Sequence, residues 1–208
     1  MLSISILNEK NNYISATNKV NDTNCDYLHL DIMDSSFTLD SSFKIKQVKE
    51  ISKLSNKKLD IHIMSSKLDE ILDDYIKIKP DIISFHFEAV NDVEKYIKKI
   101  KDNDIKVGLA ISPDTFVSEI YEYIDLVDVI LVLGVNPGKG GQSYIEGTTK
   151  KLIQLFKMKD AHKYLIEVDG GINDETINLV NDYVDIAVMG SYITNSDNYQ
   201  EQIDKLKI

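Results

Sequence analysis

Along the whole chain, short runs with apolar residues at every second position give way to longer lysine-rich stretches with apolar residues three and four apart. The first spacing is that of a strand and the second that of an amphipathic helix. The pattern predicts strands near residues 3–7, 27–32, 59–63, 82–86, 106–111, 127–133, 164–168 and 185–189. Helices are expected between and after them, near 13–22, 45–54, 67–77, 91–102, 115–123, 145–158, 174–181 and 198–206. Eight strand-then-helix units in 208 residues close most economically as one α/β domain, a single (β/α)₈ TIM barrel spanning residues 1–208. An open doubly wound sheet would usually carry a glycine-rich fingerprint after its first strand, where this chain has Asn8-Glu-Lys.

Two of these strands break the expected composition. A parallel strand covered on both faces normally reads as continuous Val, Ile and Leu. Tyr27-Leu-His-Leu-Asp-Ile-Met-Asp34 instead sets His29, Asp31 and Met33 on one face, and Asp60-Ile-His-Ile-Met64 repeats the device with Asp60, His62 and Met64. Polar side chains on a buried face need partners there, and a divalent metal is the partner expected. In a barrel of this kind the C-terminal strand ends face the active site. His29 and Asp31 end strand two, His62 ends strand three, His86 and Glu88 end strand four, and Asp169 ends strand seven. Two neutral imidazoles and two carboxylates, His29, Asp31, His62 and Asp169, make a sensible ligand set for one Zn²⁺, Fe²⁺, Mn²⁺ or Co²⁺ ion. Met33 and Met64 are expected as barrel filling and as walls of the site. His162, which precedes strand seven, reads as a surface residue.

Glycines mark the remaining chemistry. Val135-Asn-Pro-Gly-Lys-Gly-Gly-Gln-Ser143 carries Gly138, Gly140 and Gly141, more backbone freedom than a plain turn requires, and suits a mobile lid or an anion cradle. Loops seven and eight of barrels commonly hold a phosphate, which points to Gly170, Gly171, Gly190 and Ser191. Asn173 followed by Asp174 and Glu175 also reads as a helix start, so part of that signal is capping.

Composition narrows the partners. A net charge of -10 opposes loose binding to nucleic acid or an anionic membrane. All 24 basic residues are lysine, so a phosphate site must use backbone N–H groups, helix ends or lysine in place of a guanidinium fork. No apolar run approaches a membrane span and the first residues lack a basic leader, which makes a cytoplasmic address the expectation. Cys25, the single cysteine, has no internal partner and reads as a small filler residue.

The stretches Leu-His-Leu-Asp-Ile-Met-Asp, Asp-Ile-His-Ile-Met, Phe-His-Phe-Glu-Ala, Lys-Val-Gly-Leu-Ala, Val-Asn-Pro-Gly-Lys-Gly-Gly-Gln and Glu-Val-Asp-Gly-Gly-Ile-Asn closely resemble the ribulose-phosphate 3-epimerase family, in its order and over nearly the whole chain. The resemblance implies a ribulose-phosphate-binding barrel and a metal-dependent isomerase of the pentose phosphate pathway that interconverts D-ribulose 5-phosphate and D-xylulose 5-phosphate. It implies that His29, Asp31, His62 and Asp169 bind the metal. Asp31 and Asp169 would also exchange the C3 proton through a metal-stabilised enediolate. A small-molecule sugar phosphate is the implied substrate, and a homo-oligomer, dimer or hexamer, the implied assembly.

The chain departs from the family pattern in four places. Ser35-Ser-Phe-Thr-Leu-Asp40 replaces a loop that usually opens with glycine. Asn8 takes the place of a serine in the substrate-facing loop after strand one, Leu133 that of a methionine, and Lys139 that of a phenylalanine in the lid. Three alternatives stand beside the main reading. One is an epimerase of a related ketose phosphate such as a hexulose 6-phosphate, and another is a non-catalytic sugar-phosphate binding protein. The third, a lyase of the neighbouring decarboxylase and synthase group, is disfavoured because Asp31-Ile-Met-Asp34 lacks the lysine of Asp-x-Lys-x-x-Asp.

Overall fold

Every strand expected from the alternation is present in the computed structural model, which describes residues 1–206. The strands are β1 (Leu2–Ser5), β2 (Tyr27–Met33), β3 (Lys58–Met64), β4 (Ile82–His86), β5 (Lys106–Ile111), β6 (Val129–Leu133), β7 (Leu165–Asp169) and β8 (Ile186–Met189). They pair in sequence order, all parallel, and the ring closes where β8 pairs with β1. Around it lie α1 (Tyr13–Asn21), α2 (Ile45–Leu54), α3 (Leu68–Ile76), α4 (Val93–Lys101), α5 (Gly147–Met158), the single turn α6 (Ser191–Thr194) and α7 (Tyr199–Ile203). Among the described residues no helix is long and apolar enough to cross a membrane.

The helices form where a cap and an apolar stripe coincide. In α4 the Asp92 carboxylate accepts the Lys95 N–H at its start, and Val93, Tyr96, Ile97 and Ile100 are buried at the 3.6-residue spacing. Each such side chain stabilises the fold by about 1.5–3 kcal/mol on leaving water. They join the outward-facing strand residues, Leu28, Leu30 and Ile32 among them, in the main core between barrel and helices.

Two expected helices are instead short 3₁₀ turns. In the stretch 115–123 only Val117–Ile120 is helical, because Lys151 of α5 takes the Thr115 carbonyl at 2.6 Å and Glu119 N–H donates to Phe116 instead. In 174–181 the β-branched and asparagine residues favour caps over a helix interior. That stretch forms only the turns Thr176–Leu179 and Asn181–Tyr183, with Asn173 Oδ1 accepting from the N–H groups of Glu175 and Thr176. His162 lies at the surface, half-buried, where it pairs with Asp125 at 2.6 Å and stacks on Tyr164. Cys25 is buried, as a filler should be.

The barrel interior is layered. Its bottom layer is Tyr27, Ile82, Val129 and Ile186, one from each even strand, the alternate-strand stacking of such barrels. Above it the inward residues of the odd strands are Ser3, Asp60, Gly108 and Glu167, with both acids fully buried. A Cβ at Gly108 would come within 2.0 Å of Ser84 Oγ, so only glycine fits against β4. The apolar floor thus gives way to a polar layer toward the C-terminal mouth of the barrel.

Candidate metal and substrate site

Register brings the four proposed ligands together. Asp31 on β2 stands opposite His62 on β3, His29 stands opposite Asp60, and Asp169 ends β7. His62 Nδ1 lies 3.2 Å from Asp31 Oδ1 and 3.7 Å from Asp169 Oδ2. His29 Nε2 lies 3.4 Å from Asp31 Oδ1 and 3.8 Å from Asp169 Oδ2. One ligand atom from each of the four residues falls within 4.8 Å of the others. Four ligands at about 2.0–2.2 Å around a tetrahedral ion are about 3.3–3.6 Å apart, so these edges fit one cation after small adjustments. His29 Nε2 is buried without a hydrogen-bond partner. A buried imidazole nitrogen directed at two carboxylates and bonded to nothing is an unmet need that a cation meets once the ring gives up its proton.

The titration of these groups follows from their packing. Burial alone would depress His29, but the carboxylates of Asp60 and Asp31 outweigh it and hold the imidazole well above the ordinary histidine range. Burial would likewise raise Asp31, and the imidazoles of His29 and His62 keep it below the ordinary carboxylate range. Burial and the neighbouring Asp60 raise Glu167 well above that range.

Behind each histidine stands an outer partner. His29 Nδ1 is 2.6 Å from Asp60 Oδ2, which also accepts the Ser3 hydroxyl at 3.1 Å. His62 Nε2 is 3.0 Å from His86 Nε2, and His86 Nδ1 is 3.0 Å from Glu88 Oε2. Burial lowers His86, while His86 and Thr115 bring Glu88 down to about 2 against the effect of its own burial.

Asp31, His62 and Asp169 open into a cavity of about 360 Å³ that also reaches Gly171, Gly190 and Ser191. The loop 135–143 roofs it. Gln142 Nε2 donates to the carbonyls of Asn136 (2.7 Å) and Lys139 (2.8 Å), pinching the loop into a compact lid. The lid rests on Asn8: a Cβ at Gly140 would be 2.6 Å from Asn8 Oδ1. Gly171 has φ +73, and a Cβ there would be 2.6 Å from Tyr144 N, so the loop after β7 can be built only with glycine.

Comparison with known proteins agrees with this geometry. Residues 1–194 match the model of the ribulose-phosphate 3 epimerase family. The chain belongs to that family. It is 37% identical over 180 residues to the ribulose-phosphate 3-epimerase of Buchnera aphidicola subsp. Baizongia pistaciae, covering 84% of this chain and 79% of the relative. It is 31% identical over 186 residues to the Bacillus subtilis ribulose-phosphate 3-epimerase, covering 88% and 86%. Among solved structures, thiamine phosphate pyrophosphorylase from Pyrococcus furiosus superposes with TM-score 0.69 at 12% identity, covering 99% of this chain and 93% of that one. Tryptophan synthase from Mycobacterium tuberculosis gives TM-score 0.73 at 8% identity, covering 99% and 90%. Those two likenesses concern the barrel alone.

Seen as a member of the epimerase family, the chain has its expected substrate-facing residues on the cavity wall with one exception. Met33 is buried and does not line the cavity, whereas Met64, its register partner on β3, does. His29 sits behind the wall, fully enclosed. Two residues of the site, Ser5 and Glu167, went unrecognised in the sequence, and Asp60 was placed on the polar face without its role behind His29. Ser5 donates to Asp31 Oδ2 at 2.7 Å, and the Asp60 and Glu167 carboxyls lie within reach of His29 Nδ1 at 2.6 and 3.9 Å. The signal for the two acids was present: each precedes a proposed ligand by two residues in an otherwise apolar strand, so the two share a face.

Proposed function

We propose that the protein is an isomerase that epimerises C3 of a ketose phosphate, interconverting D-ribulose 5-phosphate and D-xylulose 5-phosphate with one divalent cation, Zn²⁺, Fe²⁺, Mn²⁺ or Co²⁺. The observation that carries this reading is the convergence of His29, Asp31, His62 and Asp169 at the mouth of the barrel, in a chain of the epimerase family. When bound, the cation supplies positive charge that offsets the negative charge developing on the substrate oxygens as the proton next to the carbonyl leaves.

The remaining chemistry is assigned to side chains of this chain. Inverting C3 needs a proton taken from one face and another returned to the opposite face. Asp31 on β2 and Asp169 on β7 reach the cavity from strands separated by β1 and β8. Asp31 is held ionised by its imidazole neighbours, and the Ser5 hydroxyl fixes its second oxygen. The backbone at Gly171, Gly190 and Ser191 would receive the phosphate, and the lid over Asn8 would exclude water from the exposed carbanion. A cytoplasmic homo-oligomer, dimer or hexamer, belongs to the same reading.

The test is wash-in of solvent deuterium at C3 of ribulose 5-phosphate with defined metals. Exchange should stop on chelation, return with metal, and fall by about 10²–10⁴ in Asp169→Asn. Phosphate-ligand binding without exchange would leave a sugar-phosphate binding protein.

A further inference from the structure

The two imidazoles of the proposed metal set are oriented by different means. His29 reaches a carboxylate in one step, at Asp60. His62 reaches one only in two, through His86 to Glu88. We infer that His86 and Glu88 are positioning residues that impose on His62 the one tautomer able to hold the cation. The inference rests on the metal-dependent reading above.

The argument is a count of hydrogens. His62 turns Nδ1 toward Asp31 and Asp169, so to hold a cation between them Nδ1 must offer a lone pair and the ring proton must sit on Nε2. Nε2–H then donates across 3.0 Å to His86 Nε2, which has to be an acceptor. His86 therefore carries its proton on Nδ1 and donates across 3.0 Å to Glu88 Oε2. The alternative acceptor, Ser112 Oγ, is farther away at 3.5 Å. Glu88 can only accept there, because its other oxygen already receives the Ser112 N–H at 2.7 Å and the Thr115 hydroxyl. With the cation held at His62 Nδ1, moving the His86 proton to Nε2 would set it against His62 Nε2–H, so the arrangement with His86 protonated at Nδ1 is the one free of conflict.

The anchoring end is firmly built. Lys151 Nζ on α5 donates to the carbonyls of Ser112 (2.9 Å), Pro113 (2.5 Å) and Thr115 (2.6 Å), holding the loop that presents both donors to Glu88. Phe37 packs on the His86 ring with centroids 4.7 Å apart, and His86 is fully buried, so water cannot replace a lost link.

Glu88→Gln tests the relay with little change of shape. The amide has one oxygen, which the fixed Ser112 N–H will take. Its NH₂ then faces His86 Nδ1, moves the His86 proton to Nε2, and sets it against His62 Nε2–H. Co²⁺ affinity, read from its visible absorption, should fall by about 10–100-fold. Long-range ¹H–¹⁵N spectra should show His86 protonated at Nδ1 in wild type and at Nε2 in the variant, a change that simple loss of packing would not produce. Nε2-protonated His86 in the Zn²⁺-loaded wild type, which needs no variant, would overturn the inference. So would wild-type Co²⁺ affinity in a folded Glu88→Gln protein, with the metal reading left intact. Wild-type protein that takes up no Co²⁺ at all would remove both.

Discussion

His29 Nδ1 lies 2.6 Å from Asp60 Oδ2, register partners on adjacent strands, while its Nε2 faces the site without a hydrogen-bond partner. The carboxylate fixes which ring nitrogen carries the proton and raises the basicity of the other. Asp60→Asn keeps the shape and removes the charge. Its Zn²⁺ affinity, measured against a chromophoric chelator, should drop by about 10–100-fold; an unchanged constant would show that Asp60 does not orient His29.

Loading the site should also expel protons. His29 is held well above its ordinary value, and His62 is raised too, despite burial, by Asp169 and Asp31. A ligand must be deprotonated before it binds an ion, so affinity should climb with pH until the raised His29 value is passed. Calorimetry in buffers of different ionisation enthalpy should count at least one proton released at pH 7.

The same shifts set the stability of the metal-free protein. A group whose folded pKa is raised contributes stability that is complete below its unfolded value, about 6.5 for histidine, and is lost as pH rises through the folded value. His29 and His62 behave this way, and raised Glu167 adds to the loss. His86, depressed by burial, has the opposite sign and acts only below about 6.5. Melting temperature with EDTA should therefore decline as pH rises above about 6.5; a metal-free protein that becomes more stable over that range would contradict the assignment.

Ser35 has φ 65, at the position where the family loop usually opens with glycine. A left-handed non-glycine residue costs about 1–2 kcal/mol, and glycine gives back about 0.5–1 kcal/mol through its freer unfolded chain. Ser35→Gly should therefore stabilise the protein by about 0.5–1 kcal/mol, a rise of roughly 1–4 °C in Tm. A fall in Tm would mean that the bond from Ser35 Oγ to the Asp40 carbonyl, 3.3 Å, outweighs the backbone cost.

Among the described residues Lys139 is the one lysine lining the cavity, and it stands on the loop that roofs it. An exposed charge contact with a phosphate is worth about 1 kcal/mol or less. Lys139→Ala should raise KM up to about fivefold with kcat retained, and the difference should shrink with added salt. An unchanged KM would take the phosphate away from Lys139.

Most of the barrel was legible because a two-residue and a 3.6-residue spacing alternate eight times, and burial on both faces of a strand admits polar residues only with a reason. That reason exposed His29, Asp31 and His62, and the glycines of the lid and of the loop after β7 announced backbone that no side chain tolerates. Local pattern did not reveal where helices fail: Lys151 withdraws the Thr115 carbonyl from a helical ladder across 36 residues of sequence. Nor did it separate Met33 from Met64, since the period-two rule places both on the inner face and only Met64 reaches the cavity in the folded barrel. The relay from His62 through His86 to Glu88 is likewise a tertiary fact. Chain order names the residues of a strand face, but hydrogen bonds run between strands, and closure of the ring decides which face meets which.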